Sequence, residues 1–409
     1  MKRKHADSLS SKPHDEITIR GDIDSAETRV ATDKRFESLY VKSRDFKDLA
    51  VLDADFAAVV KGRHLDFEDA RAVKQLTKTL LRLDFGLVID LPDDRLCPPR
   101  PWSFIATDID EKNITYARKN IHLNNLDSRI TVLRRQPDDT LIPATSTSID
   151  FCMTNPPFYE SESDMATRAA QKSRPPSTAC TGHPVEMVTR GGEVAFVNRI
   201  VTESLTLRTS VAWYTAMLGF LSSVTAVLSR LRDLGVDNVA VTEFVQGSKT
   251  RRWAVAWSFR PMRPAQAVAR GTNSIDDRSL LPPHTEAHRL VVVPLSDGIL
   301  ASLPGALEEV LGQLDLVSWS WDKHKLQGTG RAVGNVWNRA WRRRQRQMQR
   351  TADVTDDDPD EIGFGFSVSI HVGRDDVSVD CRWLEGHNPV IFESFQAFLK
   401  TTVESLAKR

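Results

Sequence analysis

The sequence predicts an α/β fold, a doubly wound sheet followed by a separate α+β domain. Three observations predict it. Short apolar runs at 104–107, 129–133 and 149–153 alternate with stretches of helical period or polar loops, the pattern of strands linked by crossovers. Two of these runs end in carboxylates or a rigid polar turn, at the strand ends where open α/β sheets place their chemistry. A stretch rich in Pro, Arg and Ser at 261–287 then separates this alternation from a second one at 288–409.

Residues 1–34 are rich in Ser, Asp and Lys and predict a disordered, solvated N-terminus. The cluster Lys2-Arg3-Lys4-His5 suits nuclear import and equally suits a solvated tail. The first folded domain spans 35–260. Val73, Leu76, Leu80 and Leu83 recur at helical spacing behind an acidic first turn, so 66–83 reads as a helix leading into the sheet. A strand at 104–110, a helix at 112–124, a strand at 129–133, a polar loop through Thr140 and a strand at 149–153 follow. The stretch 159–189 is long, polar and rich in Ser, Thr and Pro, the mark of a functional or mobile loop. A helix at 193–207 and strands at 239–244 and 253–259 close the domain. In the second domain the pattern predicts strands at 289–295, 316–323, 364–372 and 377–384, with helices at 300–314, 333–350 and 390–406.

Composition restricts the function classes. At 409 residues the chain suggests two or three domains, and 40% apolar residues suffice for substantial cores. Lys and Arg number 55 and balance 55 Asp and Glu, so any attraction for nucleic acid comes from local patches. The cysteines, Cys97, Cys152, Cys180 and Cys381, have no metal-ligand spacing and read as reduced thiols of an intracellular protein, nuclear or cytoplasmic. No metal site, secretory signal or membrane-spanning run is expected.

The strand at 149–153 runs directly into Asn155-Pro156-Pro157-Phe158. Each proline fixes its own φ and pushes the preceding residue out of the helical region, which makes a rigid, extended turn. Pro157 has no N–H, so the Asn155 amide oxygen and the Pro156 carbonyl can both accept hydrogens from one planar amine while Phe158 stacks on the base. An exocyclic amine held in this way turns its lone pair toward an electrophile and needs no general base. The same four residues also make an ordinary strand-to-loop turn. Asp108, with Asp110 as second choice, sits where an acid accepts hydrogen bonds from ribose hydroxyls; the competing role for Asp108 is a helix N-cap.

These motifs carry a resemblance. With further blocks at 79–86, 151–158, 191–200, 213–219, 242–247 and 252–259, including Gly191-Gly192-Glu193 and Trp213-Tyr214, the stretch from Phe36 to Phe259 resembles the methyltransferase-like protein 16 family of RNA N6-adenosine methyltransferases. That family includes the bacterial large-subunit ribosomal RNA adenine methyltransferase F. The resemblance implies a Rossmann-like class I methyltransferase sheet, S-adenosylmethionine as methyl donor, and a structured RNA as substrate, either U6 small nuclear RNA or ribosomal RNA. By the same resemblance Arg82 meets the donor's carboxylate, Asp108 its ribose and Thr140 its adenine end. Asn155 adjoins the donor, and Asn155, Pro156, Pro157 and Phe158 hold the target adenine with Tyr159 nearby.

Two basic stretches are candidate RNA contacts. Arg168, Lys172 and Arg174 lie in the long loop and can meet phosphates, or remain solvated. Arg331, Arg339, Arg342, Arg343, Arg344, Arg346 and Arg350 surround Trp337 and Trp341 with no acid among them. They suit an RNA backbone, with the alternative that both tryptophans enter the core while the arginines fold against the acids at 353–361.

One departure from the family pattern stands out. Sheets of this type carry a strand and a glycine-rich turn before the ribose-binding acid, because the backbone must approach the donor closely. Here no glycine occurs between Gly86 and Gly182, and the Pro-rich run 91–101 leads directly into the strand at 104–110. The first strand and its turn are therefore expected to be missing. Removing a central strand costs on a scale that exceeds a domain's total stability of roughly 5–15 kcal/mol. The expectation divides between an omitted coding segment, favoured because the later motifs are intact, and a catalytically impaired RNA-binding relative.

Overall fold

Strand pairing divides the expected sheet in two. The computed structural model describes residues 45–62, 64–67, 69–85, 103–145, 147–170, 184–246, 250–341, 343 and 363–408. The chain forms two compact units, one of 1–148 with 157–203 and one of 149–156 with 204–409.

The first unit opens with α1 (Phe46–Leu52) and α2 (Ala54–Ala57), capped by the side chains of Asp45 and Asp53. A two-stranded ladder, β1 (Val60–Lys61) with β2 (His64–Leu65), precedes α3 (Ala70–Phe85), the predicted helix beginning a few residues later than expected. Leu76, Leu80 and Leu83 of α3 pack against Leu49, Phe56, Leu65 and Ala72. β3 (Phe104–Asp108), α4 (Glu111–Leu123) and β4 (Ile130–Arg134) form a right-ordered parallel pair, from Phe104 opposite Ile130 to Asp108 opposite Arg134. α5 (Glu162–Ala170), α6 (Pro184–Met187) and α7 (Gly192–Leu207) follow, so part of the predicted loop 159–189 is helical.

In the second unit β5 (Ile149–Thr154) lies parallel to β6 (Val211–Leu218). β6 pairs antiparallel with β8 (Thr250–Ser258), which pairs with β7 (Asn238–Gln246), and the short β9 (Arg270–Gly271) completes the order β5-β6-β8-β7-β9. α8 (Leu221–Asp233) connects β6 to β7 and buries Val224, Val227, Leu228 and Leu231. Neither β6 nor α8 is among the predicted elements. Only a three-residue 3-10 turn, Arg208–Ser210, separates α7 from β6, with no Gly or Pro to mark the boundary.

A second five-stranded sheet, wholly antiparallel, has the order β10-β14-β13-β12-β11. Its strands are β10 (Glu286–Pro294), β11 (Ser318–Asp322), β12 (Gln327–Ala332), β13 (Phe364–Val372) and β14 (Asp376–Glu385). α10 (Asp297–Gly312) and α11 (Pro389–Leu406) bury Leu303, Leu307, Leu311, Phe392, Phe395, Leu399 and Val403 in one core with Phe364, Phe366, Val368 and Trp383. β12 escapes sequence reading because Gly328 and Gly330 argue against a strand. Here they make room: a Cβ at Gly328 would strike the Trp319 and Trp321 rings, and one at Gly330 the Phe366 ring.

The predicted helix 333–350 is corrected at its start. Residues 333–338 form bends and turns, and helix begins at Arg339. Trp337 is buried in the turn, 5.0 Å centroid to centroid from Phe395, and its indole N–H donates to Ser394 Oγ at 3.1 Å. Arg331 is a β12 residue paired with Glu385 at 3.1 Å. The acids at 353–361 lie outside the described residues.

Within 261–287 the chain carries α9 (Gln266–Ala269), β9 and a 3-10 turn at Arg278–Leu280. At its start Arg263 is buried and ties the two five-stranded sheets together. Its Nε donates to Gly386 O at 2.7 Å, its Nη1 to Asp237 O at 3.0 Å, and its guanidinium lies 4.1 Å over the Trp383 ring.

Candidate active site

β3 ends in the predicted ribose acid. The N-cap of α4 is Asp110, whose side chain accepts from Asn113 N at 2.9 Å. Asp108 is thereby free of the capping role. Its two oxygens accept from Asp110 N at 2.8 Å and from Asn113 Nδ2 at 2.9 Å, and Asn113 Nδ2 also reaches Glu186 Oε1 at 3.4 Å. Asn113 Oδ1 is buried with no hydrogen-bond partner among the described residues. A carboxylate with spare lone pairs beside an unpaired amide oxygen is an acceptor pair suited to hydroxyl donors. The sequence gives Glu186 a place only where the long loop returns to the helix and gives Asn113 none; the one sequence signal for Asn113 is its position three residues after the cap.

Thr140 lies in a loop held from α7. Its hydroxyl accepts from Arg135 Nη2 at 2.8 Å, and its carbonyl accepts from Arg135 Nε at 3.1 Å. Glu203 accepts from the N–H groups of Leu141 and Ile142 at 2.8 and 2.9 Å, and Arg199 donates to the carbonyls of Pro137 and Asp139. Arg82 is placed differently from the other donor-site candidates. Its Nη2 is 2.8 Å from Asp53 Oδ2, a carboxylate only 4% exposed that also accepts from Thr79 Oγ1 at 2.6 Å. Burial opposes the Asp53 charge, but the Thr79, Arg82 and Phe56 donors prevail and hold its carboxyl below the ordinary range.

Asn155, which follows β5, is exposed, and no hydrogen bond engages its amide among the described residues. Pro156 is buried, while Pro157, Phe158 and Tyr159 are half-buried. The boundary between the compact units falls inside this motif, after Pro156. On its far side Tyr159 N donates to Met187 O at 3.0 Å and Thr189 N donates to Tyr159 O at 2.9 Å, so the residues after Phe158 are anchored before α7 begins. Gly191 and Gly192 have φ of +76° and +62°, and a Cβ at Gly192 would stand 3.4 Å from Phe158 O. Glycine at 192 thus serves both the left-handed backbone and the close approach.

Of the expected RNA contacts, Arg339 and Arg343 are exposed. Arg168 lies on α5, and Lys172, Arg174, Arg342 and Arg344 lie outside the described residues. Among the described residues no group of three His, Cys, Asp or Glu is placed to hold a metal ion, and no helix is long and apolar enough to cross a membrane.

The family model of an RNA methyltransferase matches residues 29–102 and 100–261, more than half of the chain. The chain belongs to this RNA methyltransferase family. Its sheet is accordingly of the Rossmann-like class I methyltransferase type. It is 29% identical over 385 residues to the U6 small nuclear RNA (adenine-(43)-N(6))-methyltransferase of Schizosaccharomyces pombe, covering 82% of this chain and 94% of that one. It is 35% identical over 275 residues to the RNA N(6)-adenosine-methyltransferase METTL16 of Mus musculus, covering 53% of this chain and 50% of the relative. The chain thus spans about half the length of the mouse protein. A crystal structure of the human METTL16 catalytic domain with a MAT2A 3'UTR hairpin matches 54% of this chain and 92% of its own at 36% identity, with a TM-score of 0.49.

S-adenosylmethionine is the methyl donor of this family, and the residues present fit it only in part. The Asp108 and Asn113 oxygens suit its ribose hydroxyls. The close backbone approach that the rest of the donor needs has no counterpart: no glycine lies between Gly86 and Gly182, and β3 pairs with β4 alone among the described strands.

Proposed function

We propose that the protein transfers a methyl group from S-adenosylmethionine to N6 of an adenosine in a structured RNA, with U6 small nuclear RNA or ribosomal RNA as the substrate class. Membership of the RNA methyltransferase family supports the reaction type, and the adenine-N6 relatives support the position. The observation that carries the reading on this chain is Asn155. Asn155 is exposed at the end of β5 with no hydrogen bond to its amide among the described residues, and it is followed by two prolines that withhold N–H groups and by the Phe158 ring. The Asn155 Oδ1 and the Pro156 carbonyl accept the two amine hydrogens, and Phe158 stacks on the base. The amine lone pair is then directed out of the ring plane, and the proton leaves after the nitrogen has been alkylated.

Tyr159, Arg168, Lys172 and Arg174 border the base grip in sequence and supply phosphate contacts. Arg339, Arg342, Arg343 and Arg344 of the C-terminal α+β domain hold the RNA backbone. The division into 1–34, a methyltransferase domain at 35–260, a linker at 261–287 and the domain at 288–409 belongs to the same reading. A small nuclear RNA substrate places the action in the nucleus and a ribosomal one in the cytoplasm, intracellular in both cases. A second reading, an RNA-binding relative without transfer, is favoured by one observation, that β3 pairs with β4 alone among the described strands.

The test is methyl transfer to a transcribed RNA hairpin by the protein expressed from its genomic locus. Asn155→Ala is expected to abolish transfer and leave RNA affinity nearly unchanged. Equal activity in the variant refutes the amine grip.

A further inference from the structure

We propose that the 409-residue chain lacks an internal strand–turn–helix segment at residues 99–103, and that without this segment it does not hold S-adenosylmethionine. The proposal rests on the methyltransferase reading above and concerns its donor half.

β3 has the composition of an interior strand, beginning Phe104-Ile105-Ala106, yet none of its five residues is buried. It pairs with β4 through one edge, and its other edge has no partner among the described strands. β5 repeats the pattern in the other compact unit. None of its six residues is buried, Met153 is 65% exposed, and among the described strands it pairs with β6 alone. β6, with partners on both sides, buries Val211, Tyr214, Ala216 and Leu218 almost completely. Apolar strands with an open ladder edge are costly to leave in water and prone to pair with other chains.

The family match locates the gap independently. The model matches this chain in two stretches that meet at residues 100–102, immediately before β3. The match to the fission yeast relative extends over 385 residues, 94% of that protein, while drawing on only 82% of the 409 residues here. That relative therefore contributes positions which this chain does not fill. A strand, its turn and a crossover helix need on the order of 30 residues or more. The absent unit is also the one that would bring glycine to the donor, since no glycine lies between Gly86 and Gly182. The Asp108–Asn113 acceptor pair is thus half of a donor site, and its unpaired oxygen is left without the partner that the complete protein provides.

The experiment has two readouts. Reverse transcription and sequencing across the codons for residues 85–110 is expected to find an in-frame insert encoding an apolar strand and a glycine-rich turn. A native message that encodes only the 409 residues overturns the omission. In parallel, the purified 409-residue chain, shown to be folded by circular dichroism and competent in hairpin binding, is titrated calorimetrically with S-adenosylhomocysteine. No detectable heat from the 409-residue chain, with micromolar binding by the insert-bearing protein, is the expected result. Micromolar binding by the 409-residue chain, or none by either form, overturns the claim about the donor. The transcript readout does not involve RNA substrate, so its failure is distinguishable from failure of the proposed methyl transfer.

Discussion

The Asn113 side-chain amide donates to Asp108 at 2.9 Å and reaches Glu186 at 3.4 Å, and the Asn113 oxygen is buried with no hydrogen-bond partner among the described residues. The acid and the amide are five residues apart, on either side of the β3–α4 turn, and Asp110 takes the capping role that would otherwise consume Asp108. Local helix chemistry thus leaves a carboxylate and an amide oxygen together as acceptors at the end of a strand.

Asp108→Asn in the insert-bearing protein removes the charge while keeping the shape. A hydrogen bond to a charged acceptor contributes about 1.5–3 kcal/mol, which corresponds to roughly 10- to 100-fold in affinity. Donor affinity measured by calorimetry is expected to fall by that factor, with RNA affinity unchanged.

Asp53 sets an acid limit on the first unit. Its carboxyl titrates below its ordinary value because Thr79, Arg82 and Phe56 donate to it despite its burial. A depressed folded value means that its contribution is complete above the unfolded carboxylate range near 4 and is lost as pH falls through the lowered value. Asp53→Asn is expected to flatten the acid limb of a stability–pH curve measured by chemical denaturation, with the largest loss of stability near neutral pH.

Arg263 couples the two sheets of the second unit through Asp237, Gly386 and Trp383. Arg263→Ala leaves buried carbonyl oxygens unpaired and a void over the Trp383 ring. The expected loss is about 3 kcal/mol, read as a lowered thermal midpoint. Separate melting of the 288–409 stretch at an unchanged midpoint in the variant would show that the staple is idle.

Charge reversal at Arg342, Arg343 and Arg344 is expected to weaken hairpin binding at 0.1 M salt and to flatten its salt dependence, since each lost phosphate contact lowers the slope by about 0.7–0.9. An unchanged affinity assigns these arginines to structure alone.

Much of this architecture was legible in the sequence, for reasons that differ by element. β3, β5, β13 and α11 announce themselves by apolar runs of the right period, and their bounds fall within a few residues of expectation. β12 was hidden because its glycines serve the rings of Trp319, Trp321 and Phe366 on neighbouring strands, a tertiary reason invisible in a local pattern. The turn that places Trp337 falls inside the expected helix 333–350, of whose two tryptophans only Trp341 lies in helix. Asp108 and Asn155 were singled out as candidates from strand-end position and turn chemistry. Asn113, Glu186 and Glu203 were not, since their roles depend on which distant backbone they meet.

The most direct measurement is mass spectrometry of nucleosides from a transcribed hairpin incubated with the native protein and methyl-labelled S-adenosylmethionine. Labelled N6-methyladenosine, absent with Asn155→Ala, is the expected result. Label on another base or another atom, or undiminished label with the variant, would contradict the assignment of this chain as an adenosine N6-methyltransferase acting through Asn155.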